Sequence, residues 1–125
     1  MARPITLFTG QWADLPFEVV CEKASSWGYD GLEIATWGDH LEVKKVVADP
    51  GYLARKKEIL ARCHLECLAL GAHLAGQCVG DLYDLRLDDF APAEVKGKPD
   101  QIRRWAIEEM KLTARAAKNL GCYVV

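Results

Sequence analysis

The run Gly28-Tyr29-Asp30-Gly31-Leu32-Glu33-Ile34-Ala35 switches hydrophobic period at its middle, and that switch sets the architecture. Upstream, Phe17, Val20, Cys21, Ala24 and Trp27 recur at the spacing of one helical face until Gly28 stops them. From Gly31 to Ala35 the chain reads as a short buried strand that carries one carboxylate, Glu33. The pattern repeats outward. Before it, Pro4 to Phe8 is a β-leaning run closed by Gly10, and Asp14 as cap with Pro16 in the first turn open the helix leading to Gly28. After it, Asp49-Pro50 opens a helix with the stripe Leu53, Lys56, Ile59, Leu60 and Cys63, which breaks at His64 before a strand from Glu66 to Ala72. Pro99-Asp100 opens a third helix, in which Trp105 belongs to the packing stripe, and Gly121 ends it. Cys122 to Val125 then starts a fourth apolar strand. The order βαβαβαβ, about four strands and three main helices over residues 1–125, predicts a parallel α/β fold. Thr36 to Ala48 reads as loop plus a short amphipathic turn. Gly76 to Lys98 reads as a long, turn-rich connection of the kind that serves as a lid or insertion.

Composition narrows the partners. The chain has 125 residues, 50% hydrophobic and 27% charged, which places it among globular proteins with one domain. Lys+Arg 16 against Asp+Glu 18 leaves no basic excess to track a phosphate backbone, so nucleic acid is not the expected partner. The apolar run from Ile5 to Phe8 stops far short of a signal-peptide core and no later run approaches a membrane span, so a cytoplasmic protein is expected. Five cysteines with no CxxC pair read as reduced core thiols.

In parallel α/β folds ligands bind at the carboxyl ends of the strands, so the residues just after each run carry the functional reading. Those residues are polar and aromatic: Thr9, Gln11 and Trp12, then Glu33, Trp37, Asp39 and His40, then His73 and Gln77. Indole faces stack on the apolar face of a sugar ring while hydroxyls take paired donors and acceptors, so a small polyhydroxylated ligand suits this set. Glu33 is costly in an apolar strand unless it faces a polar pocket or forms a structural salt bridge, and either role asks for a bonded partner. His73 has three open roles: metal ligand, general acid or base, or hydrogen-bond partner to substrate hydroxyls. No GxGxxG follows the first strand, Gln77-Cys78 stand where a P-loop needs Lys and Ser/Thr, and neither GxSxG nor HExxH occurs.

The runs TLFTGQWADLP (6–16), GYDGLEIATWGDH (28–40) and LGAHLAGQCVGD (70–81) resemble the N-terminal part of sugar phosphate isomerase/epimerase proteins of the xylose isomerase-like TIM-barrel superfamily. That resemblance implies a (β/α)8 barrel, and the chain is too short for a complete one, which needs about 250 residues. It therefore implies the N-terminal half of the barrel. The family's reaction moves a proton through an enediolate, or a hydride, beside a carbonyl polarised by a divalent metal, Mn, Mg, Co or Zn, with the ligands coming from later strands. By resemblance, Trp12, Glu33, Trp37, His40 and His73 form the substrate-binding side, and His73 is the one candidate metal ligand. The implied partners are a sugar or sugar phosphate, and a second copy across the open barrel edge. The other readings are a half-barrel assembly or carbohydrate-binding module without catalysis, and a zinc-dependent endonuclease-like protein.

Overall fold

Strands β1 (Thr6–Phe8), β2 (Gly31–Ala35) and β3 (Glu66–Gly71) form a parallel sheet in the order β1-β2-β3. The computed structural model describes residues 3–125. Helix α1 (Phe17–Ser26) joins β1 to β2, and α2 (Val43–Ala48) and α3 (Pro50–Arg62) join β2 to β3. Helices α4 (His73–Gly80) and α5 (Pro99–Leu120) follow β3. The chain is thus an α/β protein built on a βαβαβ unit. No helix among the described residues is long and apolar enough to cross a membrane.

Strand alternation divides the sheet into two unlike faces. Leu7, Leu32, Ile34 and Leu70 are buried together with Phe17, Cys21, Leu60 and Ala116 of the helices, and this is the main core. Phe8 and Glu33, which are register partners, belong to the opposite face. A bulge sharpens the division: Leu32 pairs with Cys67 but Glu33 pairs with Ala69, so Leu68 is an extra residue in β3. Without it, Cys67 and Leu70, three residues apart, would point to opposite faces. With it, both meet the main core.

The helices leave for the next unit through one shared device. Gly28 N–H bonds Ser25 O and Tyr29 N–H bonds Ala24 O; His64 N–H bonds Ala61 O and Leu65 N–H bonds Leu60 O; Gly121 N–H bonds Lys118 O and Cys122 N–H bonds Ala117 O. Each pair is a Schellman motif, with Gly28, His64 and Gly121 at positive φ and Tyr29, Leu65 and Cys122 turned back onto the core. The expected helix stops therefore have one physical cause.

Several expectations need correction. Cys122–Val125 leaves its helix as a strand should, yet a single backbone bond, from Leu70 N–H to Val124 O at 3.0 Å, ties it to β3. Its far side has neither a further strand to bond nor a layer to cover it, and Tyr123 is 90% exposed, so no fourth strand forms. Among the described residues there are five α-helices where three main ones are expected, because α2 falls in the stretch read as loop plus a short amphipathic turn and α4 starts at His73. The stretch beyond Gly80 is turn-rich, as expected: it holds two 3-10 turns, Leu85–Asp89 and Ala93–Val95, over a second core of Cys78, Leu87, Ala91, Ile102 and Ala106. Trp105 packs on that second core, and in α3 Asp49 caps through Tyr52 N–H at 3.0 Å with Pro50 behind it, as the sequence suggests. For α1 the cap comes from elsewhere. Asp14 makes no cap bond; Asp39, distant in sequence, accepts from Phe17 N–H at 2.8 Å.

Candidate ligand site

The carboxyl ends of β1, β2 and β3 meet at three rings. Phe8 ends β1, Trp37 follows β2 and His73 opens α4. Trp37 lies edge-on to His73 with centroids 5.1 Å apart, and Phe8 is 6.0 Å from Trp37 and 5.6 Å from His73. Aromatic pairs favour such edge contacts because the positive ring edge meets the negative face. Two glycines make room. A Cβ on Gly71 would stand 2.6 Å from Phe8 Cε2 and 3.1 Å from Glu33 Oε1, and a Cβ on Gly10 would overlap the Phe8 ring. The Phe8 ring and the Glu33 carboxylate therefore close over the bare backbone of Gly71.

Beside these rings is a cavity of about 250 Å³ lined by Glu33, Gly71, Ala72, His73, Met110 and Val125, among others. Glu33 and His73 share it. Glu33 is half-buried, and no ion pair among the described residues involves it, so the structural salt bridge is not how it is accommodated. Its carboxylate remains available as a hydrogen-bond acceptor at the mouth. His73 is solvent-exposed.

The frame beneath the rings is polar, buried and fully bonded. His40 Nε2 is 3.0 Å from Leu15 O, and because a carbonyl can only accept, Nε2 carries the proton. Nδ1 is then the acceptor, and Thr9 Oγ1 donates to it at 2.9 Å. Thr9 Oγ1 in turn accepts from Ala35 N–H at 2.9 Å, which locks the turn after β1 to the end of β2. Next to it, Lys56 Nζ donates to Asp39 O at 2.6 Å and lies 4.4 Å from the Phe17 ring centre; burial lowers the Lys56 pKa. Each residue of Trp37-Gly38-Asp39-His40 therefore has a task. Trp37 is wall, Gly38 turns at φ 62, Asp39 caps α1, and His40 cross-links Thr9 and Leu15.

Of the five residues singled out in the sequence, Glu33, Trp37 and His73 come together. His40 does not join them, because it is fully buried with both ring nitrogens engaged, so it supports the site instead of lining it. Trp12 packs on Trp27 with centroids 6.0 Å apart and adds to the main core. Phe8 is the residue that sequence reasoning passed over. Its signal was strand alternation, which sets it on the face opposite Leu7. Met110 and Val125 carry no comparable signal, since only packing brings them to the cavity.

A further cavity of about 340 Å³ lies away from these groups, between α3 and α5 beside the first half of β3. Among the described residues no three of His, Cys, Asp and Glu cluster as a metal would require. Neither a scan of protein-family models nor a search of curated proteins finds a match to this chain.

Proposed function

We propose that this chain is the N-terminal half of a (β/α)8 barrel of the xylose isomerase-like superfamily, contributing the sugar-binding side of a metal-dependent sugar or sugar-phosphate isomerase or epimerase. The observation that carries this reading is the Glu33 carboxylate, without an ion-pair partner among the described residues, near the end of the middle strand, on one cavity with His73 and beside the Trp37 and Phe8 rings. The aromatic wall supplies apolar contact for ring C–H groups, Glu33 accepts from a sugar hydroxyl, and His73 donates to or accepts from another. Glu33 and His73 are two donors without a third, so these residues do not by themselves fit a divalent metal, and the chain's own part is to bind and orient.

Titration with a panel of aldoses, ketoses and their phosphates, followed by tryptophan fluorescence, tests it. Saturable binding that is lost in Glu33→Gln and Trp37→Ala, with far-UV circular dichroism unchanged, is expected. Absence of binding across the panel by the native chain overturns the reading. Deuterium uptake beside the sugar carbonyl in heavy water, with divalent metal supplied, then separates catalysis from binding alone.

One observation favours a second reading, a non-catalytic half-barrel that pairs with another copy. Tyr123, Val124 and Val125 are exposed along the free side of β3. Sedimentation of the native chain as a dimer would support pairing, and a monomer at high concentration would remove it.

A further inference from the structure

Glu33 and His73 are the only ionisable side chains lining the site cavity, whose wall holds no lysine or arginine. Glu33 is half-buried, and no ion pair among the described residues engages it. Such a carboxylate gains more from an ammonium than from a neutral hydroxyl, because a hydrogen bond charged at both ends is the stronger one. Its surroundings favour the same sign. A Cβ on Gly71 would stand 2.6 Å from Phe8 Cε2 and 3.1 Å from Glu33 Oε1, so the ring and the carboxylate converge on one point, and Trp37 is the next ring along. Aromatic faces carry negative charge and attract cations within about 6 Å. The uncapped start of α4 favours negative charge, but Glu33 already supplies it, since its Oε1 lies over Gly71, two residues before the helix begins. A phosphate brought there would meet that carboxylate at close range, where like charges repel.

We infer, on the sugar-binding reading above, that this cavity selects a sugar bearing a protonated amine over its neutral counterpart and excludes the corresponding sugar phosphate. The ammonium donates to Glu33, the hydroxyls remain for His73, and the Phe8 and Trp37 rings flank the charge. Of the three charge classes open to a sugar ligand, the cationic one is the match for a wall with one carboxylate and no cation.

The test is calorimetric titration of the native chain with glucose, its 2-amino and 6-amino analogues and glucose 6-phosphate, together with cyclohexylamine, an ammonium on a ring without hydroxyls. At least one amino sugar is expected to bind about tenfold tighter than glucose, with the phosphate weakest. Raising NaCl from about 0.05 M to about 0.5 M erodes that preference and leaves glucose unchanged. Met110→Lys, which brings a cation to the same wall, abolishes the preference and admits the phosphate; if this variant does not fold, the salt series on the native chain decides. Glucose binding as tightly as both amino sugars, or the phosphate binding tightest, overturns the inference and leaves the sugar reading intact. An amine preference untouched by salt also overturns it, since charge would not be its source. Cyclohexylamine binding while glucose and both amino sugars fail keeps the cation site and removes the sugar reading, and binding by none of the five removes both.

Discussion

Two threonines are fully buried, and they do opposite kinds of work. Thr9 bonds His40 and Ala35, residues distant in sequence, and closes the junction between β1 and β2. Thr113 in α5 donates to Glu109 O, one helical turn behind it, at 2.8 Å. The contrast extends to their regions. The β1–β2 junction is held by long-range polar bonds from Thr9, Asp39, His40 and Lys56. The part after β3 has mostly local polar bonds and relies on apolar packing, both in its own small core and where α5 joins the main core. A buried polar group is decisive where its partner belongs to another element, and nearly dispensable where its partner is already bonded within the same helix.

Thr9→Val leaves Ala35 N–H and His40 Nδ1 without partners in the core, and at about 1–3 kcal/mol per orphaned group it destabilises by about 2–6 kcal/mol. Thr113→Val removes only a bond back along its own helix and costs less than about 1 kcal/mol. Urea unfolding of the two variants checks this, and equal losses would dissolve the distinction between the regions.

A second contrast concerns glycines at either end of the turn into the third unit. Gly71→Ala forces the Phe8 ring and the Glu33 carboxylate to move, at a cost of about 1–3 kcal/mol. Binding at the proposed sugar site weakens with it. Gly80→Ala at the end of α4 meets nothing within 4 Å, and it stabilises by about 0.5 kcal/mol through lost chain entropy. Thermal melts and the fluorescence titration measure both.

The two regions also respond at opposite ends of the pH scale. In α1, burial pushes the Cys21 thiol up to about 12 from an ordinary 9.0. The unfolded chain ionises this thiol first, so its contribution is full below pH 9 and is lost as pH rises toward 12. Cys21→Ala flattens that alkaline decline, by about 1 kcal/mol near pH 10. In α5, burial raises Glu109, whose Oε2 has no hydrogen-bond partner. Its contribution is full below the ordinary carboxylate range and is lost as pH rises through the folded value. Glu109→Gln is therefore expected to be more stable than the native chain at neutral pH and no more stable in acid. Denaturant midpoints across pH show both slopes.

The smallest effect separates the three equivalent helix ends. His64 adopts φ 55 where Gly28 and Gly121 adopt 83 and 86. A left-handed residue with a Cβ costs about 1 kcal/mol, so His64→Gly stabilises by a fraction of that once glycine's unfolded-state freedom is subtracted, and Gly121→Ala destabilises by about 1 kcal/mol.

Much of this arrangement is legible in order along the chain. Gly28, His64 and Gly121 mark helix ends, Asp49-Pro50 and Pro99 mark starts, and Glu33 stands out because a carboxylate in an apolar strand needs a reason. Glu33, Trp37 and His73 fall at successive strand ends, and strand ends share one side of a parallel sheet. His40 read equally well as a wall residue. Its position five residues past the end of the second strand says nothing about depth, and depth depends on Thr9 and Leu15 approaching from another unit. Helix α4 escaped notice because Ala72-His73 carries no side-chain cap, and its eight residues are too few for a clear stripe.

Local pattern alone was enough for the parallel α/β class, for the three strands and the three main helices, and for which residues end each strand, because alternation, caps and left-handed turns act over a few residues. Tertiary packing settled the rest. It determined which histidine is buried, which carboxylate caps α1, and that the last four residues remain outside the sheet. Each of those outcomes depends on partners at least twenty residues away, and no local preference encodes whether such a partner arrives.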